Sequence, residues 1–291
     1  MLHPASPRRR PGPRRVKTAG AFHPLGPSLG WGDVMIPNLL PILIEAALAA
    51  GAEIERIYAE GCETEEKSDG SPVTVADRNA EAIILDRLGA AYPDIPVLAE
   101  EEASAGRIPD VGSRFFCVDP LDGTRGFVDR NGEFTVNIAL IEAGSPVAGV
   151  IYAPDSRLLY YGARGQGAFR ARDGGAAEPI RPRPRPASGL TAVGSRSHAS
   201  HGTAEKGAHL GIADFVPSSS SLKFCLVAEG TADVYPRHGT TAEWDTAAGQ
   251  AILEAAGGRV MALDEEGRET GPLAYGKIAD RFLNPPFIAW G

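Results

Sequence analysis

Apolar residues follow a helical pattern from about residue 36 onward. Between residues 39 and 57 they recur every three or four positions, and Gly61 follows them. This spacing predicts an amphipathic helix that ends in a loop. Thr74 or Asp77 can cap a second helical stretch, which Pro93 stops. Two helices are therefore predicted ahead of residue 93.

The rest of the chain mixes strand and helix patterns. Short apolar runs at residues 96–99 and 115–118 predict buried strands, each followed by acidic residues. Residues 134–168 alternate apolar runs with turn residues, which predicts an antiparallel meander of three or four strands. Beyond residue 186, strands are predicted at residues 190–194, 233–236, 259–263 and 287–290, and helices at residues 203–210, 219–229 and 243–256. The pattern predicts a mixed α/β (α+β) fold in layers, without an internal repeat.

Composition suggests three regions. Residues 1–34 are basic and interrupted by Gly and Pro, which predicts a disordered tail or an over-called translation start ahead of Met35. Residues 181–186 read RPRPRP, an extended linker whose prolines cannot join a central strand. We therefore predict an N-terminal α+β lobe at residues 35–185 that carries most metal ligands. A C-terminal α/β lobe at residues 186–291 is predicted to complete the metal site and the substrate pocket.

The charge and the cysteine content argue against a nucleic-acid-binding protein and against a secreted, disulfide-bonded one. The net charge is −8, and residues 1–17 hold six of the 29 basic side chains and no acid, so the remainder carries 23 minus 37, or −14. A body this acidic excludes a nucleic-acid polymer as partner. No apolar run reaches the roughly 18 residues of a membrane span, and three dispersed cysteines favour a reducing cytoplasm. Contact of residues 8–17 with the inner membrane surface stays open, as does the choice between monomer and homodimer.

Acidic residues recur in four short segments. They are Asp77 in SPVTVAD, Glu100, Glu101 and Glu102 in LAEEE, Asp119 and Asp122 in DPLDGT, and Asp245 in WDTAAG. Each has an ordinary structural alternative, such as a helix cap, a solvated loop or a turn. Three of the segments lie where an apolar element begins or ends, which allows them to meet in one cleft. Clustered carboxylates without adjacent His or Cys favour magnesium over zinc.

The DPLDGT segment can combine metal and phosphate binding. Asp119 and Asp122 can face neighbouring ions while the Leu121 carbonyl adds a further hard oxygen ligand. The amides of Gly123 and Thr124 can donate to a phosphate. Two ions about 3.5–4 Å apart would hold both the attacking and the leaving oxygen of a displacement. The sequence therefore predicts a phosphatase.

Water activation calls for a further pair of residues. A hydroxyl such as that of Thr124, backed by a carboxylate such as that of Asp77, can hold the water and take its proton. These two residues are the candidates from the sequence.

These segments, in this order, resemble the signatures of the lithium-sensitive, magnesium-dependent inositol monophosphatase superfamily. Further segments, NGEFTVNIALI, SSSLKFCLVAEG, YPR and FLNP, are similar to the bacterial adenosine 3′,5′-bisphosphate nucleotidases of the CysQ type within it. The resemblance extends from about residue 35 to the C-terminus. It implies a layered αβαβα sandwich, two or three Mg²⁺ ions and inhibition by lithium.

The resemblance also implies roles for individual residues. The implied metal ligands are Glu100, Asp119, the Leu121 carbonyl, Asp122 and Asp245. Asp77 and Thr124 are implied to hold the nucleophilic water, with Glu101 assisting. Contacts with substrate are expected from Glu100, Leu121, Asp122, Gly123, Thr124, Ser220, Lys223, Arg237 and Asp245.

The second phosphate of a bisphosphate needs its own anion pocket. Lys223, Arg237, Arg196 and the serine run 218–221 are the candidates, although a lysine on a helix is often only an exposed charge. The expected reaction is magnesium-dependent hydrolysis of adenosine 3′,5′-bisphosphate to AMP and phosphate, with phosphoadenosine phosphosulfate left open as a further substrate. The alternatives are an inositol monophosphatase or sugar bisphosphatase with the same metals, and a non-catalytic anion-binding or membrane-surface protein.

Overall fold

The computed structural model describes residues 38–67, 70–194 and 210–291. The predicted basic tail, Arg196 and nearly all of the helix predicted at residues 203–210 lie outside these ranges.

Two helices form the outer layer of the molecule. Helix α1 (Leu39–Glu60) and helix α2 (Val75–Ala91) confirm the predicted helices. A capping box between Thr74 and Asp77 starts α2, because each satisfies an amide of the first turn that has no partner within the helix. Leu43 and Ile54 of α1 are fully buried, and each such side chain stabilises the fold by about 1.5–3 kcal/mol.

A seven-stranded sheet lies beneath these helices. A small hairpin of β1 (Thr64–Glu66) and β2 (Pro72–Thr74) precedes it, and α3 (Glu100–Ser104) and α4 (Thr124–Val128) are short helices between its strands. The seven strands are β3 (Val97–Ala99), β4 (Arg114–Asp122), β5 (Thr135–Glu142), β6 (Ser145–Ala153), β7 (Leu158–Ala163), β8 (Gly167–Arg172) and β9 (Glu178–Ile180). They lie in chain order, and only the β3–β4 pair is parallel. The predicted meander is confirmed.

A six-stranded sheet is built from the remainder of the chain. Its strands are β10 (Leu190–Gly194), β11 (Ile212–Pro217), β12 (Val234–Arg237), β14 (Arg259–Leu263), β15 (Glu269–Pro272) and β17 (Phe287–Trp290), in the order β11-β10-β12-β17-β14-β15. A separate two-stranded pair joins β13 (Thr241–Ala242) to β16 (Leu283–Asn284). Helices α5 (Leu222–Ala228) and α6 (Ala247–Ala256) complete this part.

Helices α5 and α6 lie between the two sheets. Their apolar side chains join one buried cluster with residues from both sheets. Phe224 of α5, for example, stacks on Phe287 of β17 with ring centroids 5.7 Å apart. The described layers are therefore helix, sheet, helix, sheet, which confirms a layered α/β sandwich. The described residues form no helical layer beyond the second sheet, so the fifth layer of the αβαβα arrangement stays a prediction. The lobe boundary at residue 185 also stays a prediction.

The structure corrects three details of the predicted elements. Strand β4 continues to Asp122 instead of ending at residue 118, and α6 begins at Ala247 instead of residue 243. Strand β11 was not predicted, because its partly exposed residues lack a clean alternation of buried and exposed positions. Among the described helices, none combines the length and apolar character needed to cross a bilayer.

The contact between α6 and β6 gives a stability prediction. A Cβ added at Gly149 would lie 2.6 Å from the Ala248 main-chain oxygen and 2.9 Å from Ala251 Cβ. Because main chain cannot move aside cheaply, Gly149→Ala is expected to lower the free energy of unfolding by about 1–3 kcal/mol. Chemical denaturation measures this. Gly89→Ala is the control: no atom lies within 4 Å of the added Cβ, so it should leave stability unchanged or raise it by up to about 1 kcal/mol. Equal effects of the two substitutions would contradict the close packing.

Candidate active site

Asp77 holds two different parts of the chain with its two carboxylate oxygens. Its Oδ2 accepts hydrogen bonds from the amide and the hydroxyl of Thr74, both at 2.7 Å. Its Oδ1 accepts a hydrogen bond of 2.8 Å from the Thr124 hydroxyl, across 47 positions of sequence. Asp77 is therefore both a helix-capping residue and the partner of Thr124, so the two interpretations of this residue are compatible. The structure brings together the pair predicted to hold water.

The two glutamates at the start of α3 share one cation. Lys67 Nζ lies 2.7 Å from a carboxylate oxygen of Glu100 and 2.7 Å from one of Glu101. Burial alone would lower the pKa of Lys67, but the charge of Glu100 and hydrogen bonds to both glutamates raise it above its usual value. Glu102 points elsewhere and pairs with Arg107 at the surface. Lys67 had not been predicted, since it stands in a short polar segment without a recognisable motif.

A bulge in β4 explains how Asp119 and Asp122 reach the same cavity. Residues three apart on a regular strand face opposite sides of the sheet. Here Asp119 lies opposite Asn137 and Asp122 lies opposite Thr135, so three steps on β4 match two on β5. The extra residue re-aims the strand and puts both carboxylates on one face. The predicted turn at DPLDGT is thus an irregular strand end.

Gly123 completes this irregular strand end. Its φ of +95° is in the left-handed region, which glycine adopts without strain. An added Cβ would also lie 2.4 Å from Ser220 Oγ and 2.9 Å from the Glu133 main-chain oxygen. Thr124 then begins α4 directly after it. Both the conformation and the space therefore require glycine here.

Asp245 reaches the site from the loop before α6. Its Oδ2 accepts a 2.8 Å hydrogen bond from the Ala242 amide. Asn284 fixes the same loop by donating to the Ala242 carbonyl at 2.8 Å and to Thr246 Oγ1 at 2.9 Å. Because the loop is tied at several points, the Asp245 carboxylate has little freedom to move away from the other acids.

Four acidic side chains affect one another's ionisation. They are Glu100, Asp119, Asp122 and Asp245, and together they are called the acidic cluster. Burial raises the pKa of Glu100 above its usual value, although the charge of Lys67 opposes the shift. Burial raises the pKa of Asp119 well above its usual range, and the charge of Glu100 raises it further. Burial, together with the charge of Asp122, raises the pKa of Asp245 to about 8. The four side chains predicted as metal ligands therefore lie close together.

The donor chemistry of the acidic cluster fits a hard divalent cation. Carboxylate and carbonyl oxygens are the ligands that Mg²⁺ prefers, and in the structure the Lys67 ammonium already neutralises part of this charge. In the three described ranges, no three acidic, histidine or cysteine side chains yet form a metal-coordinating group. The residues that could hold metal are the acidic cluster and the Leu121 carbonyl.

A cavity of about 110 Å³ adjoins the acidic cluster. Its lining includes Asp122 and Asp245 together with Lys223 and Arg237. Lys223 is only 7% exposed, and burial lowers its pKa to about 8 although Asp122 opposes the shift. An exposed helix lysine, the ordinary alternative for Lys223, is therefore wrong. The structure places Lys223 and Arg237 in one cavity with Asp122 and Asp245, and their contact with substrate stays a prediction.

Ser220 and Ser221 connect α5 to the end of β4. The Ser220 hydroxyl can donate to the main-chain oxygens of Asp122, at 2.9 Å, and Glu133, at 3.0 Å. The Ser221 amide donates to Asp122 Oδ2 at 2.6 Å, and its hydroxyl donates to Asn137 at 2.7 Å. Ser220 lines the cavity, but its hydroxyl is engaged by main chain, and its predicted contact with substrate stays a prediction. Ser221 was expected only as part of the serine run of the anion pocket, and Asn137 was given no role; only the fold brings them beside Asp122.

A second cavity of about 130 Å³ lies at the far end of β12, lined in part by Arg183, Asp233 and Trp290. It contains no residue of the acidic cluster. Arg183 and Asp233 form an ion pair of 2.7 Å there, and Arg185 and Arg259 also line the cavity, so its side chains are basic on balance. The chemistry belongs to the first cavity.

Comparisons with known sequences show the family of the chain. The chain matches the model of the inositol monophosphatase family over residues 36–284, a range that contains the whole acidic cluster. It is 45% identical to the 3′(2′),5′-bisphosphate nucleotidase CysQ of Salmonella typhimurium, over 86% of this chain and 98% of that protein. The protein of the same name from Escherichia coli K12 is 43% identical over the same shares. The resemblance inferred from the motif segments is confirmed.

Solved structures agree with the fold. The crystal structure of CysQ from Bacteroides thetaiotaomicron is 41% identical and has a TM-score of 0.69, covering 86% of this chain and 96% of that one. An inositol monophosphatase from Anabaena is 30% identical with a TM-score of 0.66, covering 87% and 90% of the two chains. The similarity therefore includes both nucleotidases and inositol monophosphatases.

Crowded carboxylates lead to a prediction on stability. Folding raises the pKa of Asp119, so the free energy of unfolding of the metal-free protein should fall as the pH rises above about 4, where the unfolded chain releases its protons. Asp119→Asn removes one buried ionisable group and is expected to stabilise the metal-free protein by about 1 kcal/mol or more at pH 8, and by less at pH 5. Thermal unfolding in the presence of a chelator measures the difference.

The exposed residue Glu265 provides the control, since Glu265→Gln should change neither value. Mg²⁺ should raise the melting temperature of the wild-type protein and have little effect on Asp119→Asn. A metal-free Asp119→Asn protein that melts below wild type would contradict the repulsion inferred here.

Proposed function

The chain belongs to the inositol monophosphatase family, and from this premise we propose that it converts adenosine 3′,5′-bisphosphate to AMP and inorganic phosphate. The observation that carries the proposal is one cavity that joins the acidic cluster to Lys223 and Arg237. A substrate with two phosphates needs such a pair of sites, one for hydrolysis and one for anchoring. The relatives that are 43–45% identical are named for this type of substrate.

The family comprises metal-dependent phosphatases, and the metal we propose is Mg²⁺, bound as two or three ions. Glu100, Asp119, the Leu121 carbonyl, Asp122 and Asp245 would hold it. When bound, Mg²⁺ would neutralise the cluster and polarise the oxygens of the phosphate. The amides of Gly123 and Thr124 would bind the same phosphate.

Asp77 and Thr124 supply the proton path. Since the Thr124 hydroxyl donates to Asp77 Oδ1 at 2.8 Å, its lone pairs are free to accept a hydrogen bond from a water molecule. Burial raises the pKa of Asp77 above its usual value, which makes its carboxylate a better proton acceptor. Attack of this water on phosphorus forms one P–O bond and breaks the bond to the ribose oxygen, which leaves with a proton. The Glu101 carboxylate would assist by placing a negative charge next to the path of the proton.

Lys223 and Arg237 would bind the phosphate that is not cleaved. Lys223 Nζ donates to the Ser220 carbonyl at 2.6 Å, which fixes its position and leaves two further N–H groups for an anion. Arg237 Nε lies 3.2 Å from the Gly239 carbonyl and lines the same cavity. An incoming phosphate would also stabilise the charged form of Lys223, whose pKa burial has lowered.

An inositol monophosphatase or a sugar bisphosphatase is the second candidate. The likeness to the Anabaena enzyme, with 30% identity, favours it, since the acidic cluster would serve any phosphate monoester. The basic side chains of the cavity favour the nucleotide bisphosphate. A purely anion-binding protein would need neither the Asp77–Thr124 pair nor the acidic cluster. The membrane-surface alternative rests on residues 8–17, outside the described ranges, and stays a prediction, as does hydrolysis of phosphoadenosine phosphosulfate.

A small substrate panel tests the reaction. Phosphate release in Mg²⁺ should be faster from adenosine 3′,5′-bisphosphate than from inositol 1-phosphate, should stop with a chelator and should fall when lithium is added. Asp77→Asn is expected to lower kcat about 10²–10⁴-fold, because the proton acceptor is lost, while calorimetry still detects Mg²⁺ binding. Faster release from inositol 1-phosphate would favour the second candidate. Full turnover by Asp77→Asn would rule out the proposed proton path.

Substitution of Lys223 tests the anchoring pocket. Lys223→Met should raise KM for adenosine 3′,5′-bisphosphate about 10–100-fold, the size of one charged hydrogen bond, and change KM for adenosine 3′-monophosphate far less. Steady-state kinetics with both substrates give the comparison. Arg170→Met is the control, since Arg170 pairs with Glu229 on a different part of the fold and should alter neither KM. An equal rise of KM for both substrates would show that Lys223 does not read the second phosphate.

A further inference from the structure

The acidic cluster is supported by a carboxylate from a neighbouring helix. We propose that Glu81 is a positioning residue for metal binding, which holds α3 so that Glu100 and Glu101 face the metal site. This inference rests on the proposed function, because it assumes that these glutamates serve a bound cation.

Glu81 joins α2 to the first turn of α3. One of its carboxylate oxygens accepts a hydrogen bond of 2.8 Å from the Glu101 amide, and the other accepts one of 2.9 Å from the Glu102 amide. Glu81 is only 3% exposed. Both of its oxygens are therefore used to hold main chain of the segment that carries Glu100 and Glu101.

The sequence of α3 leaves this task to another element. The first amides of a helix have no partner within the helix, and a Ser, Thr, Asp or Asn at the cap position commonly satisfies one of them. In α3 the cap position is Ala99, which has no side-chain acceptor. Glu81, eighteen or more positions earlier in the chain, supplies the missing acceptors. The orientation of α3 thus depends on α2.

Helix α2 also holds the other half of the chemistry. Asp77 and Glu81 are four residues apart, so they lie one above the other on the same face of α2. Asp77 contacts Thr124 and Glu81 contacts α3. One helix face therefore sets the spacing between the pair that holds water and the glutamates that face the metal.

Apart from the hydrogen bonds that it accepts from α3, the ionised Glu81 carboxylate is in an unfavourable electrostatic environment. Glu81 adds a buried carboxylate next to Glu101 and Glu102, whose charges oppose its ionisation. A neutral cap at position 99 would satisfy the helix without that repulsion. Retaining an acid here makes sense where its two oxygens must fix two consecutive amides in one orientation, as groups that orient metal ligands do.

Direct metal binding separates positioning from simple stability. Calorimetric titration of the substrate-free protein with Mg²⁺ is compared for wild type, Glu81→Ala, Glu81→Gln and Asp233→Ala. Asp233 is a matched control, because it is 6% exposed and accepts the Thr191 amide at 2.6 Å, away from the metal site. Glu81→Ala should weaken Mg²⁺ binding about tenfold or more. Glu81→Gln, which keeps one acceptor oxygen, should weaken it by a smaller factor of about three or more.

Asp233→Ala should lower the melting temperature and leave Mg²⁺ affinity unchanged. The Mg²⁺ concentration for half-maximal activity should rise in the Glu81 variants by the same factor as the dissociation constant. Glu81 variants that bind Mg²⁺ as tightly as wild type would overturn the inference, and Glu81→Gln decides the matter if Glu81→Ala does not fold. A wild-type protein that binds no Mg²⁺ would instead overturn the proposed function, and the inference with it.

Discussion

Mutual repulsion among buried carboxylates is the constraint that shapes this structure. Four acids from three separate parts of the chain meet, one of them fully buried and three partly buried, and burial raises the pKa of each. At an effective dielectric constant of about 20, two like charges about 4 Å apart cost roughly 4 kcal/mol. Such an arrangement persists only if the surrounding fold holds it firmly and a cation neutralises it. Lys67 provides part of this neutralisation in the structure described here.

The fold supplies the required rigidity through a few specific contacts. The bulge in β4 aims Asp119 and Asp122 at one face, and Ser221 fixes Asp122 through its amide. Asn284 holds the loop that carries Asp245. Helix α2 holds Thr124 through Asp77 and holds α3 through Glu81. The close contact of α6 with β6, where only glycine fits, keeps the second half of the chain against the first.

Much of the fold could be predicted from the sequence because its signals are local. The spacing of apolar residues gave both long helices and the meander, and the resemblance of four motif segments indicated the family. The bulge between Asp119 and Asp122 could not be predicted, since Asp-Pro and Asp-Gly are also ordinary turn signals. Strand β11 could not be predicted for a different reason. It pairs with β10, about twenty positions earlier in the chain, and the local sequence does not show this pairing.

Some residues of the candidate site could be predicted from the sequence, and others could not. Acidic residues in compact motifs were recognisable, and the pairing of Asp77 with Thr124 was expected. Lys67 stands in no recognisable motif, whereas Asn137 and Ser221 lie in motif segments that do not reveal their contact with Asp122. Only the folded chain shows that these three residues contact the acids. The burial of Lys223 could not be predicted either. A lysine on a helix is often exposed, but the structure buries this one almost completely.

The central claim is that Glu100, Asp119, Asp122 and Asp245 surround shared divalent cations. The most direct measurement is anomalous diffraction from crystals of the protein soaked in Mn²⁺, a substitute for Mg²⁺ with a usable anomalous signal. We expect at least two Mn²⁺ peaks with carboxylate oxygens of these four residues and the Leu121 carbonyl within about 2.0–2.4 Å. Mn²⁺ bound elsewhere, with the four carboxylates facing away from it, would contradict the account.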